Sequence, residues 1–227
     1  MLLSMAEIIG TVAALTRYPV KSMAGEPLAQ AELRWNGLHG DRQSSFYQRG
    51  DHGRFPWLSA RDLPSLVLYR SAYAAPEDPR RSQIHVTTPQ GERHAIRAPE
   101  LIHQLAEAAG KELDLRQVGR GTFDAMPVSV VSTATHAALD AVHGASVDPR
   151  RFRSTIVIES QARETPWCRR RLTFRGGAGR CPARGQRSGA TLRAHHHRPR
   201  HGRSRSSRHA DGRAELRQRR GHLLRRC

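Results

Sequence analysis

The chain has 227 residues and a formal net charge of +18. The charge is uneven, because residues 1–167 hold 19 Lys and Arg against 18 Asp and Glu, whereas residues 168–227 hold 19 against 2. No apolar run approaches the roughly 20 residues needed to cross a bilayer, which argues against a transmembrane helix.

The first hundred residues predict short strands separated by turns. Residues 8–20 have the pattern of a strand that ends at a proline, and NGLHGDR at 36–42 has turn chemistry with two glycines. Further strand-like runs lie at residues 27–35, 44–48, 65–73, 83–89 and 93–99. Many short strands with frequent turns favour a β-barrel or a sandwich.

Two predicted helices interrupt this pattern. Leu101, Leu105 and Ala108 or Ala109 share one face of a helix that Gly110 can end, and residues 113–118 return to a strand. We therefore expect a mainly β fold with a few helices.

The second predicted helix follows a buried strand in VSVVSTATHAALDAVHG. Ser132 or Thr133 is its expected N-cap, and Gly144 its expected end. The side chains expected to be buried by this helix are Ala138, Leu139 and Val142. The basic segment DPRRFR at 148–153 then leads into the apolar strand STIVIES.

Neither the first residues nor the cysteines indicate export. MLLSMAEIIG has no basic start and only a short apolar stretch, unlike a signal peptide. Cys168, Cys181 and Cys227 all lie in the basic end without metal-ligand spacing. We therefore expect a soluble, cytoplasmic protein with no membrane association.

Three polar clusters contain residues that could bind an anionic ligand. YPVKS presents Lys21 and Ser22 just beyond a strand end, where they could hold a phosphate; an exposed turn lysine is the alternative. Arg42 leaves a glycine turn, and its alternative role is an ion pair with Asp41 or a nearby acid. The three arginines of DPRRFRSTIVI could form a fork for phosphate or carboxylate, or be a solvated basic loop.

Six segments, taken in order, resemble one family, the MOSC-domain proteins with a MOSC N-terminal β-barrel. The segments are YPVKS at 18–22, GLHGDR at 37–42, LSARDLPSLV at 58–67, PVSVVSTAT at 127–135, DPRRFRSTIVI at 148–158 and ETPW at 164–167. The resemblance implies a MOSC N-terminal β-barrel domain at 6–119 and the beginning of a truncated MOSC β-barrel domain at 120–174. Residues 175–227 are then a disordered, Arg-rich tail.

The resemblance also implies a bound molybdenum cofactor, a pterin with a phosphate and a dithiolene-bound metal. Lys21, Ser22 and Arg42 stand at the positions where the family contacts the cofactor. Arg153 and Thr155 stand in the FRPN-type loop, where Thr155 replaces the family's asparagine. Fixed cations and hydroxyls at strand ends suit an anionic, phosphorylated cofactor.

By the same resemblance, intact relatives are molybdenum oxidoreductases that reduce small N-hydroxylated compounds, or sulfur-carrier modules. Any electron donor would be a separate protein, because no ferredoxin-like cysteine cluster follows residue 167. Some relatives are fused to a desulfurase that uses pyridoxal phosphate. This chain is too short to include that domain, so we expect no covalently bound pyridoxal phosphate.

The family's metal-ligand motif RCxxTTxDPxTG is absent. Residues 168–227 hold no Lys, and no Ile, Val, Tyr or Asn follows Ile158. Codons for TLRAHHHRPRHGR, read from the second base, permit Arg-Cys-Ala-x-Thr-Thr-Ile-Asp-Pro-x-Thr-Gly. We therefore predict that the chain leaves its reading frame between residues 168 and 190, loses the metal-ligand cysteine and is inactive.

The alternative is a genuine basic tail that binds nucleic acid through its phosphates, without base specificity. Sequencing the coding DNA across codons 160–227 separates the two hypotheses. We expect a gained or lost base relative to a frame that encodes RCxxTTxDPxTG. If the present frame is confirmed and the other is closed, the nucleic-acid hypothesis takes precedence.

Overall fold

Short strands dominate the fold, as the alternating sequence pattern predicts. The computed structural model describes residues 7–168, 172–174 and 190–193. The strands in these parts are β1 (Thr11–Arg17), β2 (Glu26–Leu28), β3 (Gln30–Arg34), β4 (Gly37–Leu38), β5 (Ser44–Gln48), β6 (Arg70–Tyr73), β7 (Ile84–Thr87), β8 (Arg93–Ala95), β9 (Leu113–Gln117), β10 (Val130–Ser132), β11 (Ile156–Glu159) and β12 (Ala190–Arg193). The two α-helices are α1 (Pro99–Ala109) and α2 (Thr133–His143). The predicted fold class, mainly β with a few helices, is confirmed.

The strands form four small sheets. Their strand orders are β10-β11-β1-β2, β12-β3-β4, β5-β9 and β6-β7-β8. In the first sheet β1 pairs antiparallel with both β11 and β2, and β10 pairs parallel with β11. The end of β1 therefore lies beside the start of β11, and the Thr16 amide donates to the Thr155 carbonyl at 3.0 Å.

Two apolar clusters form the core. The larger one packs α1 against β5, β6, β7 and β9, and the smaller one lies between β1, β3, β4 and β11. Leu101 and Leu105 of α1 are completely buried, and Gly110 ends the helix with a φ of 63°, as predicted. Gly110 serves here because the left-handed conformation costs it little.

The N-terminus of α2 is capped twice. Ser132 is the N-cap, since its side chain accepts a hydrogen bond from the Thr135 amide at 3.1 Å. Glu164 of the ETPW motif accepts from the Ser132 amide and, at 2.5 Å, from the Thr135 hydroxyl. Burial raises the pKa of Glu164, but these hydrogen bonds outweigh it and lower the pKa overall. A carboxylate is favourable at this end of a helix.

Two local predictions are wrong. Ala138, Leu139 and Val142 of α2 are not buried, and Val142 is 89% exposed. Periodicity identifies the apolar face of a helix, but it cannot show whether another element covers that face. The predicted strand at 65–73 begins with a 3-10 helix, Pro64–Leu68, because proline favours the first turn of a helix.

The predicted out-of-frame, disordered tail at 175–227 lies outside the described residues, apart from β12, which pairs antiparallel with β3. It therefore stays a prediction, as does the domain boundary between residues 119 and 120. Strands β10 and β11 follow that boundary and share a sheet with β1 and β2. In the described parts of the chain, no helix combines the length and apolar character needed to cross a membrane.

Candidate functional site

Three of the segments singled out in the sequence meet at one place. They are the end of β1 with YPVKS, the turn after β4 that carries Arg42, and the loop before β11 that carries Arg153. The Arg42 amide donates to the Tyr18 carbonyl at 2.6 Å, and the Lys21 amide donates to the Ser44 carbonyl at 2.9 Å. The Arg42 guanidinium also reaches across to the Arg153 carbonyl, at 3.2 Å from Nη2.

The backbone is unusual at three of these residues. Ser22, Arg42 and Arg153 have φ angles of 64°, 49° and 51°, and no other non-glycine residue in the described parts has a positive φ. Such a conformation costs a non-glycine residue about 1 kcal/mol or more and is concentrated at functional sites. Glycine would adopt this conformation at little cost, so these three positions are candidates for a role that requires their side chains.

A cavity of about 810 Å³ opens at this junction. Four of the five predicted cofactor-binding residues line it, namely Lys21, Ser22, Arg42 and Arg153. The ionisable side chains around the cavity are five basic, with Arg61 and Lys111 added to the predicted three, and three acidic, Asp51, Asp62 and Asp124. The lining therefore has an excess of positive charge.

Tyr18 holds the two arginines together. Its ring centroid lies 4.7 Å from the Cζ atom of Arg42 and 4.3 Å from the Cζ atom of Arg153. Its hydroxyl donates to the Ser154 carbonyl at 3.2 Å. The negative face of an aromatic ring attracts a guanidinium, so the ring offsets part of the repulsion between the two cations.

Arg153 has unused hydrogen-bonding capacity. Nη1 donates to the Met23 carbonyl, whereas Nη2 is buried and has no hydrogen-bond partner in the described structure. Burial, together with the charge of Arg42, lowers the pKa of Arg153 to about 10. A buried donor without an acceptor is costly, so Nη2 is hydrogen-bonding capacity that the described contacts of Arg153 leave unused.

Asp41 orients Arg42. The Asp41 side chain is completely buried, accepts the Tyr18 amide hydrogen at 2.7 Å and pairs with Nη1 of Arg42. Burial raises the pKa of Asp41, against the lowering effect of Arg42 and the Tyr18 amide. The ion pair considered as the alternative role of Arg42 is therefore present, and Arg42 still lines the cavity through the rest of its guanidinium.

Lys21 is not an exposed turn residue, since it is only 7% exposed. Its Nζ lies 2.9 Å from Oδ1 of Asp124 and 5.2 Å from the ring centroid of Trp57. Burial lowers the pKa of Lys21 below its ordinary value, although Asp124 opposes this effect.

Thr155, the fifth predicted residue, does not line the cavity. It is completely buried, its amide donates to the Ser129 hydroxyl at 3.0 Å, and its own hydroxyl accepts from the Ser129 amide at 3.3 Å. Thr155 thus positions Ser129, which does line the cavity. Of the three arginines in the loop before β11, Arg150 and Arg151 are exposed, and Arg153 alone reaches the cavity.

Sequence reasoning missed several lining residues. Trp57 and Phe55 form an edge-to-face pair with centroids 5.5 Å apart on the cavity wall, and Asp124 lies in the loop between β9 and β10. Ser129 lies in PVSVVSTAT, a segment that supports the family resemblance but does not by itself predict a binding residue. Trp57 and Asp124 stand in no cluster that distinguishes them from ordinary surface residues.

The described residues contain no group of three or more His, Cys, Asp or Glu side chains suited to a metal ion. Cys168 is exposed, and Cys181 and Cys227 lie outside the described residues.

Comparison with known proteins identifies a family for the first part of the chain. The profile of the MOSC N-terminal beta barrel domain matches residues 9–132, more than half of the chain. None of the curated proteins matches the chain. The predicted resemblance is confirmed, and the chain belongs to the family of proteins with a MOSC N-terminal beta barrel domain.

Proposed function

We propose that the cavity binds the phosphate group of the molybdenum cofactor. The observation that supports this most strongly is the convergence of Ser22, Arg42 and Arg153, all with left-handed backbones, on one cavity. Arg153, which has one guanidinium nitrogen without a hydrogen-bond partner in the described structure, lines the cavity together with Arg42 and Lys21, so three positive charges face the ligand. Arginine pairs with phosphate through two parallel hydrogen bonds, which lysine cannot do.

The lining also suits the pterin part of the cofactor. Trp57 and Phe55 provide aromatic surface on the wall of the cavity next to Lys21, and Ser22 and Ser129 provide hydroxyls. Planar ring systems pack favourably against aromatic side chains. The residues present therefore fit the phosphate and pterin ends of the group, and the described part of the lining includes no cysteine thiolate for the metal.

In enzymes that the chain resembles, the bound group supplies the oxidation and reduction chemistry by which N-hydroxylated compounds are reduced. In this chain Lys21, Ser22, Arg42 and Arg153 bind and orient the anionic end of the group. The electron donor, the N-hydroxylated substrate and the sulfur-carrier role belong to intact relatives that carry the RCxxTTxDPxTG cysteine. We propose that this chain retains the anion site and lacks turnover.

This proposal has a direct test in the composition of the purified chain. After expression in cells that make the cofactor, we expect pterin phosphate, released and detected by its fluorescence, together with much less than one molybdenum per chain. About one molybdenum per chain would contradict the loss of the metal ligand. An absence of pterin would contradict the cofactor site itself.

The pH dependence of anion binding gives a second test. A phosphate monoester gains its second charge above a pKa of about 6. Burial lowers the pKa of Lys21 below the ordinary value of 10.5, so on raising the pH Lys21 loses its charge earlier than an exposed lysine does. The affinity for phenyl phosphate should therefore rise through about pH 6 and fall again on the alkaline side. In Lys21→Arg the part of the alkaline fall that is due to Lys21 should disappear, because arginine keeps its charge to higher pH, and the part due to Arg153, whose pKa is about 10, should remain. An unchanged alkaline fall would show that Lys21 does not contact the anion.

Nucleic-acid binding by the Arg-rich end remains the alternative proposal. It rests on the composition of residues 168–227, almost all of which lie outside the described residues. Binding of this kind would weaken steeply with salt and would be lost when those residues are deleted.

A further inference from the structure

The loop between β9 and β10 forms one side of the cavity and is held mainly near its start. Thr122 is buried, and both its amide and its hydroxyl donate to the Arg42 carbonyl, at 2.8 and 2.9 Å. Among the described residues, no backbone hydrogen bond holds residues 123–128. The segment is fixed at Thr122 and again at Val128, which packs against the smaller apolar cluster, and Asp124 lies on the stretch between these two points.

Asp124 is the charge partner of the most buried amine of the cavity. Its Oδ1 lies 2.9 Å from Nζ of Lys21, and its Oδ2 lies 4.0 Å from Nη2 of Arg61. The Asp124 side chain is 47% exposed, whereas the Lys21 side chain is 8% exposed. A solvent-exposed carboxylate thus satisfies a buried ammonium that faces the anion site.

A carboxylate and a phosphate oxygen compete for the same donor. Both are anionic acceptors that form short, charge-assisted hydrogen bonds with an ammonium. A ligand phosphate that reached Lys21 would meet the Asp124 carboxylate at close range, and two like charges at such a distance repel each other strongly away from bulk water. The carboxylate and the phosphate therefore cannot both hydrogen-bond to Lys21 without strong electrostatic repulsion between them.

We propose that Asp124 sets the affinity of the anion site by occupying Lys21 until a phosphate displaces it. The inference rests on the proposed function, because it requires an anion to bind in this cavity. Displacement moves residues 123–126 away from Lys21 and exposes the ammonium to the ligand. The remaining acids of the lining have other roles; Asp62, for example, accepts hydrogen bonds from Lys111 at 2.7 Å and from the Ser59 hydroxyl at 2.8 Å.

The test is a calorimetric titration of phenyl phosphate into the full chain at pH 7.5 and low salt. Asp124→Asn should bind phenyl phosphate about tenfold more tightly than the unmodified chain, a gain of about 1.4 kcal/mol. Asp51→Asn is the matched control, since Asp51 lies in the same lining, accepts the Gly53 amide hydrogen and pairs with no cation in the described structure; its loss should change the affinity by no more than about twofold. In a Lys21→Met background, Asp124→Asn should lose most of its effect, because there is no ammonium left to release.

Thermal melts of the four variants, including the double variant, establish that each one is folded, and substitution at the half-exposed Asp124 should leave the melting temperature nearly unchanged. If Asp124→Asn binds phenyl phosphate no more tightly than the unmodified chain, or more weakly, competition is overturned and Asp124 instead positions Lys21. If Asp51→Asn gives the same gain, general charge repulsion replaces the specific competition. If neither the unmodified chain nor Asp124→Asn binds phenyl phosphate, the proposed function falls together with this inference.

Discussion

Replacing Arg153 by methionine should weaken phenyl phosphate binding by about 10- to 100-fold, the effect of losing one or two hydrogen bonds to a charged group. Arg153 contributes the buried Nη2 that has no partner in the described structure, and the Tyr18 ring holds its guanidinium next to that of Arg42. The fold should tolerate the change, because methionine preserves most of the buried volume and removes one of two neighbouring positive charges.

Arg151→Met is the matched control. Arg151 lies two positions earlier in the same basic loop, but it is exposed and does not line the cavity. Its loss should reduce the affinity by less than about threefold, through long-range charge alone. Arg153→Lys should bind with intermediate affinity, because lysine restores the charge without the two-pronged geometry. Equal effects of Arg151→Met and Arg153→Met would contradict a specific site.

Replacing Glu26 by alanine should lower the free energy of unfolding by about 3–5 kcal/mol, the usual result of removing one partner from a buried ion pair. Oε1 of Glu26 lies 2.7 Å from both Nε and Nη2 of Arg17, and Oε2 accepts from the Tyr73 amide at 3.3 Å. Arg17 is 3% exposed and would stay buried without its counter-charge. This pair joins β1 and β2 to β6, directly behind the YPVKS segment.

The comparison for this prediction is Glu32→Ala, measured by urea unfolding in parallel. Glu32 also pairs with an arginine at 2.7 Å, but its partner Arg34 and Glu32 itself are 33% and 41% exposed. Exposed ion pairs contribute little to stability, so Glu32→Ala should lower the free energy of unfolding by less than about 1 kcal/mol. The double variant Arg17→Met, Glu26→Leu should recover much of the lost stability, since no buried charge is then left unpaired. A loss of similar size in the two single alanine variants would contradict the role assigned to burial.

The local fold was predictable where burial follows from nearby residues. The spacing of Leu101 and Leu105, with Gly110 after them, defines α1 and its buried face without further information. The same reasoning predicts both ends of α2 correctly, but it wrongly predicts that the apolar face of α2 is buried. Whether Val142 is buried depends on elements that are distant in the chain. Sheet order was not predictable either, since β1 pairs with β11 across roughly 140 residues.

The site was predictable to the extent that its residues stand in recognisable motifs. Lys21, Ser22, Arg42 and Arg153 were identified in this way, and the structure brings all four to one cavity. Thr155 stands at a motif position, but it forms hydrogen bonds with Ser129 instead of lining the cavity. The spacing of residues in the sequence does not reveal this contact. Asp124 and Trp57 contact Lys21 only because the tertiary fold brings distant segments together. The residues next to them in the sequence therefore do not identify them as part of the site.

The central claim, that the cavity between β1, β4 and β11 is an anion site for a phosphorylated cofactor, is tested most directly by a crystal structure of the chain grown with phenyl phosphate. We expect the phosphate oxygens within hydrogen-bond distance of the Arg42 and Arg153 guanidinium groups, with Nη2 of Arg153 as one of the donors. A phosphate bound elsewhere, or a cavity without phosphate at a concentration that saturates binding in solution, would contradict the claim.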